Sequence, residues 1–160
     1  MSTSNRPTRA ELLERRESLK VRIKRQEYLD RIKFKTDGLT LRGIEFSVIE
    51  EVRSHLSWLQ DAFAFERYSI DWYSVDQCEA PASREEKEVE RWLHDVGMRH
   101  GGLDQPVMVV WMGGDPGLQL RFVDFIAARD ILRGLESWVL PLDRRWVVEY
   151  AGEWNWGVPN

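Results

Sequence analysis

Several features that would point to a particular chemistry are scarce in this chain. Its 160 residues include one cysteine, three histidines and six prolines. The single Cys78 cannot form an intramolecular disulfide, which predicts a reducing compartment. The longest apolar run, Val107 to Met112, is far shorter than the roughly 20 residues that span a bilayer. The N-terminal region is charged where a secretory signal would be apolar, so we expect a cytoplasmic protein without a membrane partner.

Cofactor motifs are also missing. The stretch from Val109 to Gly117 joins an apolar run to three glycines, but it lacks the Lys-Ser/Thr ending of a phosphate-binding loop and the spacing of a dinucleotide site. Asp115 within it would repel a phosphate. Cys78 has acidic neighbours, whereas a nucleophilic thiolate needs a cationic one. We therefore expect neither a cofactor nor a catalytic cysteine.

What the chain does contain is a separation of charge. Residues 1–36 carry eleven Lys and Arg against five acids, about +6, and residues 37–160 carry twelve against 22, about −10. Such asymmetry is typical of proteins with charged partners. We predict a basic N-terminal helical arm over residues 1–37 and an acidic domain over residues 38–160.

The arm has the pattern of a helix with apolar residues on two sides. Thr8 and Glu11 have the spacing of a capping box, and a helix from there would reach about Lys35, with a stop at residues 36–38. One stripe consists of Leu12, Leu19, Ile23 and Phe34, and the opposite one of Val21, Tyr28, Leu29 and Ile32. Either both sides are covered, or the helix breaks near Gln26. The heptad repeat is not sustained, which argues against a long coiled coil.

The remaining sequence alternates helical and extended patterns. We predict an extended piece over 39–43, helices from Ser47 and over 84–98 and 123–135, strands within 63–75, at 106–112 and at 118–122, and a hairpin over 138–150. The fold class expected is α+β, a single domain with a mixed or mainly antiparallel sheet and helices packed on it.

Two pairs of helical residues have metal-ligand chemistry. Glu51 precedes His55 by four residues, and Glu90 precedes His94 by four, so each pair shares a helix face. A zinc site needs three or four ligands, and no further histidine is near in sequence. A solvated pair is the expected state, and a small metal-dependent hydrolase is the third functional hypothesis.

The tryptophans near the C-terminus allow two interpretations. Trp154 and Trp156 follow the predicted hairpin, beside Glu153. They could anchor a protein interface, or the tail could fold back and cover one end of the sheet. The second arrangement is favoured, because two exposed tryptophans promote aggregation.

Three interpretations of the basic arm remain open. Salt-dependent nucleic-acid binding would use Arg9, Arg15, Arg16, Arg22 and Arg25. Attachment to a membrane surface requires a single apolar face and is disfavoured. We favour packing of the arm on the acidic body of its own chain or of a sister chain, which includes a homodimer through the N-terminal helix.

The leading functional hypothesis is a non-catalytic protein that binds a basic partner. Its layout and acidic body resemble, in a general way and through no motif, the small cytoplasmic immunity and inhibitor proteins that neutralise bacterial toxins such as nucleases. Attraction of opposite charges speeds such associations. The expected contact residues are Glu85, Glu86, Glu90, Trp92, Asp95, Glu153, Trp154 and Trp156.

Overall fold

A computed structural model describes residues 6–160, in which helices and strands alternate along the chain. The helices are α1 (Arg9–Asp30), α2 (Lys33–Leu41), α3 (Arg53–Ala62), α4 (Glu86–Arg99) and α5 (Phe122–Leu132), with a 3-10 turn at Trp72–Ser74. The strands are β1 (Ser47–Ile49), β2 (Phe65–Glu66), β3 (Ser69–Ile70), β4 (Cys78–Glu79), β5 (Pro106–Trp111), β6 (Gly117–Arg121), β7 (Ser137–Pro141), β8 (Val147–Tyr150) and β9 (Trp154–Gly157).

Seven of these strands form one antiparallel sheet. Their order is β1-β6-β5-β7-β8-β9-β4, and every neighbouring pair runs antiparallel. The hairpin β2–β3 lies apart from this sheet. Strand β5 is an interior strand, buried from Val107 to Trp111, as its apolar run predicted. The α+β fold with an N-terminal helix is therefore confirmed, and its sheet is antiparallel rather than mixed.

Both faces of the sheet are covered, by different elements. Helices α2, α4 and α5 cover one face, where Leu93, Phe122 and Phe125 are fully buried. Helix α3 and the β2–β3 hairpin cover the other, around Leu59 and Val110. The alternation of side chains along a strand divides them between these faces. The interior is thus a three-layer core with the sheet in the middle.

The end of the arm differs from its prediction. Helix α1 stops at Asp30, and α2 runs from Lys33 to Leu41 through the expected stop and the expected extended piece. Leu39 of α2 is fully buried. A Cβ on Gly38 would lie 2.7 Å from Ile131 Cδ1, so this glycine permits close packing of α2 on α5. It does not end the helix.

Ser47 was expected to start a helix and instead starts β1. Its strand pairs with β6, with Ser47 opposite Gln119 and Ile49 opposite Gly117. The helix begins later, and Glu51 accepts hydrogen bonds from the backbone N and Oγ of Ser54 at 3.2 and 2.7 Å. Pairing with a strand some seventy residues away overrides the local helix-start pattern.

The arm projects from the folded body. No residue of α1 is buried, and its 22 residues extend about 33 Å. The capping box between Thr8 and Glu11 is present, as predicted. Only the base is held: Arg25 bridges to Glu50 at 2.6 Å, and Tyr28 Oη lies 3.0 and 2.9 Å from the carbonyl oxygens of Glu50 and Gly114. The expectation that the arm packs on its own body is therefore wrong for residues 9–24.

Across residues 6–160, the structure contains no helix with both the length and the apolar character needed to cross a membrane.

Candidate functional site

The acidic side chains predicted on α4 are mostly paired within the chain. Glu86 lies 3.1 Å from Arg129 and 3.3 Å from Arg133. Glu90 lies 3.9 Å from Arg129, and Asp95 contacts its neighbour in the helix, Arg99, at 2.8 Å. These pairs neutralise much of the charge that a basic partner would meet. Within the described part of the chain, Glu85 is exposed and makes no ion pair.

Trp92 holds α4 to the body. Its Nε1 donates a hydrogen bond of 3.0 Å to Glu79 Oε1, and its ring packs against the core. Arg99 binds the same carboxylate. Trp92, which was expected to contact a partner, therefore links α4 to strand β4 within the chain.

The C-terminal tryptophans cover the sheet. Trp154 and Trp156 lie on β9 and are each 6% exposed, so almost no ring surface is left for a partner. Trp156 stacks on His100 with ring centroids 4.2 Å apart, and Trp154 meets Phe125 edge-on. Glu153 is exposed and pairs with Arg84. The tail thus buries both tryptophans as strand β9, between β8 and β4, whereas the favoured prediction had it fold back over one end of the sheet.

Three of the predicted contact residues do line one depression. Glu86, Glu153 and Trp154 border a groove of about 440 Å³ between the start of α4 and the start of β9. Arg84 and Arg133 also line it and pair with its two carboxylates. Because acids and cations alternate there, the groove has no strong preference for a charged ligand of either sign.

The two helical histidines have separate surroundings. His55 Nδ1 lies 2.8 Å from Arg144 Nη2. Partial burial, followed by the charge of Arg144, lowers the pKa of His55, and Glu51 opposes this only in part. His94 is 3.9 Å from Glu90. Among the described residues, no three His, Cys, Asp or Glu side chains are grouped closely enough to hold a metal ion.

Glu149 is an acid at the end of a predicted strand whose burial the sequence did not predict. It is 1% exposed and accepts three hydrogen bonds, from Ile70 N at 2.9 Å, Trp72 Nε1 at 2.9 Å and Trp138 Nε1 at 2.7 Å. Burial raises the pKa of Glu149, and these three donors offset the increase only partly. Its carboxylate ties the segment after α3 to the sheet, and its burial keeps it from any substrate.

Helix α1 exposes several apolar side chains. Leu12, Leu19 and Ile23 are 52%, 55% and 49% exposed. Together with Arg16 and Gln26 they follow one another at intervals of four and three residues, which places all five on one side of α1. We call these five residues the arm seam. Val21 is 66% exposed and lies on the opposite side.

Basic side chains flank the arm seam. Arg15 and Arg22 follow one side of it, and Arg9 borders the other. These three and Arg16 make no ion pair within residues 6–160, whereas Arg25 is bound to Glu50. Four of the five predicted nucleic-acid contacts thus remain available to an acidic partner of any class.

The arm seam leads into a small depression at its base. Gln26, Leu29 and Asp30 of α1 line a groove of about 290 Å³ with Phe46 and Val48. Val48 belongs to β1, the edge strand of the sheet. Part of this surface was predictable from the sequence, because the spacing of the apolar residues shows the stripe. The depression was not, because residues distant along the chain form it.

The chain matches no known protein-family model, and no curated protein is significantly similar to it.

Proposed function

We propose that this protein acts by binding another protein, without catalysing a reaction, and that the arm is its contact element. The observation that supports this most directly is the exposure of Leu12, Leu19 and Ile23 on a helix that has no buried residue. Leu13 and Val21 are also exposed but lie elsewhere on α1. A group of three apolar side chains on one side of a projecting helix marks a surface that another molecule covers.

The gain available from covering these residues is substantial. Complete burial of a Leu or Ile side chain contributes roughly 1.5–3 kcal/mol. Since these three are each about half exposed, their burial would contribute about 2–5 kcal/mol in total. This is a large share of the roughly 8 kcal/mol of a micromolar complex, and the flanking arginines would add to it.

An inhibitor that blocks a basic toxin through α4 stays a prediction. Glu86, Glu90 and Asp95 would first have to leave their intramolecular partners. Exposed pairs of this kind are individually weak, about 0–1 kcal/mol, so a basic partner could displace them. Each new ion pair with the partner would, however, replace one that already exists within the chain. We therefore assign the contact to the arm in preference to α4.

Nucleic-acid binding through the arm is the competing class. Arg9, Arg15, Arg16 and Arg22 have the charge for phosphate contacts. Exposed leucines and isoleucines gain nothing against a phosphate backbone, however, and the body at about −10 repels it. The arm seam is thus better explained by a protein partner.

Affinity capture from the native host tests this function. The tagged protein, the triple variant L12S/L19S/I23S and the control V21S are each incubated with native lysate, with and without nuclease treatment, and bound material is identified by mass spectrometry. We expect one stoichiometric protein with the wild type and with V21S, and its loss with the triple variant. Retention that disappears with nuclease, or that is equal for all three proteins, would refute the proposal.

A further inference from the structure

We infer that the occupant of the arm seam is an acidic amphipathic helix of another protein, packed alongside α1. The inference rests on the proposed function and specifies the chemistry of its partner. It follows from the spacing of the apolar residues, from the charges beside them and from the amount of surface that the arm leaves uncovered.

The spacing of the arm seam is that of a helix pair. Leu12, Arg16, Leu19, Ile23 and Gln26 alternate steps of four and three residues, the a/d pattern of two packed α-helices. From Leu12 to Gln26 it extends about 21 Å, a little over two heptads. It then meets the apolar groove between Leu29, Phe46 and Val48. A partner helix of about three heptads would cover the seam and reach this groove.

The charges beside the seam favour a partner helix of opposite charge. Arg15 and Arg22 flank one side, and Arg9 and Lys20 flank the other, where Glu27 is an acid beside the end of the seam nearest the body. Cations therefore outnumber acids along both flanks. The positions beside a helix–helix seam determine which helices associate, through opposite charges. Glu and Asp are therefore expected at the flanking positions of the partner helix.

The same charges disfavour a second copy of this chain. Antiparallel arms would bring Arg15 and Arg22 of one copy against Arg22 and Arg15 of the other. Parallel arms would bring Arg15 against Lys20, which repels, and Arg22 against Glu27, which attracts, so they gain nothing from charge. Like charges across an association surface are unfavourable. The expected homodimer through the N-terminal helix is thus less well matched than an acidic partner.

Arg16 adds a condition on the partner. It occupies a position within the seam, between Leu12 and Leu19, and association would remove its guanidinium from water. A charge that is desolvated without a partner is strongly destabilising. A carboxylate on the partner helix opposite Arg16 would satisfy it and fix the register of the two helices.

The surface area agrees with an unfilled interface. A compact protein of 18.9 kDa exposes about 8,300 Å², whereas this chain exposes 10458 Å². The projecting α1 contributes to this excess of roughly 2,000 Å², which is larger than the roughly 800 Å² that each partner contributes to a standard interface. The arm therefore offers enough area for a specific complex.

Synthetic helices test the inference. The probe is a four-heptad peptide with Leu at a and d and Glu at e and g, and the matched peptide has Lys at e and g. Titration into the full chain at 50 mM salt should give a Kd of about 100 µM or below for the Glu peptide and no binding for the Lys peptide. The Glu peptide should weaken at least tenfold at 500 mM salt.

Three variants assign the binding to the seam and its flanks. L19S/I23S should weaken the Glu peptide at least tenfold and V21S should not, while R15E/R22E should bind the Lys peptide instead. These side chains are exposed, so none of the changes removes a core contact. Equal binding of both peptides, binding of neither, or wild-type self-association lost in L19S/I23S would overturn the inference. A protein captured through the seam in the lysate experiment would leave the proposed function standing in each of these cases.

Discussion

The carboxylate of Glu149 shows how one side chain can join two layers of this fold. It belongs to β8 and receives N–H groups from Ile70, Trp72 and Trp138, so the segment after α3 is bound to the sheet at one point. A buried acceptor that is removed leaves its donors without partners, which costs more than the net value of each bond. Glu149 therefore stabilises the packing of this segment on the sheet.

Replacement of this carboxylate should therefore be costly. E149A leaves three donors unsatisfied, and we expect the free energy of unfolding to fall by about 3 kcal/mol or more. Urea denaturation of E149A and of the exposed control E85A measures the difference. The control should change by less than about 0.5 kcal/mol. A loss below about 1 kcal/mol for E149A would contradict the structural role.

The raised pKa of Glu149 also predicts a pH dependence. Because the pKa is higher in the folded than in the unfolded state, the group stabilises the fold fully below its unfolded pKa. That contribution is lost as pH rises through the folded pKa. The stability difference between wild type and E149Q should thus shift against the wild type as pH rises from 4 to 8. An equal pH profile for both proteins would show that the pKa is not raised.

At the scale of elements, the sequence was sufficient where local pattern and burial agreed. Helices α4 and α5, interior strand β5 and the β7–β8 hairpin have the residues expected for them. Prediction from the sequence failed at α2 and β1, where contacts with residues distant along the chain determine the secondary structure. Gly38 looked like a stop but packs on Ile131, and Ser47 looked like a cap but pairs with Gln119.

The candidate site was predictable to a similar degree. The capping box and the stripe of Leu12, Leu19 and Ile23 follow from spacing. The pairing of Glu86 with Arg129 and Arg133 does not, because it depends on how α4 and α5 pack. The burial of Glu149 was not predictable, because alternation along a strand does not show whether a given face of the sheet is covered. Charge counted along the sequence therefore overstated the acidity of α4.

Strand β9 contributes much of one end of the core. Its Trp156 is almost fully buried and stacks on His100, so W156A should lower the free energy of unfolding by about 3–5 kcal/mol. The control Y73A changes an aromatic ring that is fully exposed and should stay within about 0.5 kcal/mol. If thermal unfolding shows W156A as stable as Y73A, the tail does not form a core strand in solution.

Helix α1 should be dispensable for stability. Removal of residues 2–22 leaves the base contacts of Arg25 and Tyr28 in place, and we expect the body to unfold within about 0.5 kcal/mol of the full chain. Y28F, which removes the hydroxyl at the base, should cost about 1 kcal/mol. A loss above about 2 kcal/mol on deletion would mean that the arm packs on the body after all.

For the whole molecule, opposite charges are kept apart by distance. Residues 1–36 carry about +6 and residues 37–160 about −10. Their ion pairs among the described residues lie at or beyond the base of α1, and are Arg25 with Glu50, Arg31 with Asp115 and Lys33 with Asp37. At physiological salt the Debye length is about 8 Å, far less than the length of α1. Screening therefore lets the arm project, with its cations free for a partner.

The most direct measurement is site-specific photo-crosslinking in the native host cells, with benzoylphenylalanine in place of Leu12 on the seam or Val21 on the opposite side. Both sites are apolar and exposed, and they face opposite sides of α1. We predict a protein adduct from position 12 with little or none from position 21. Equal adducts from both positions, or no protein adduct from position 12, would contradict the assignment of the arm seam as the contact surface.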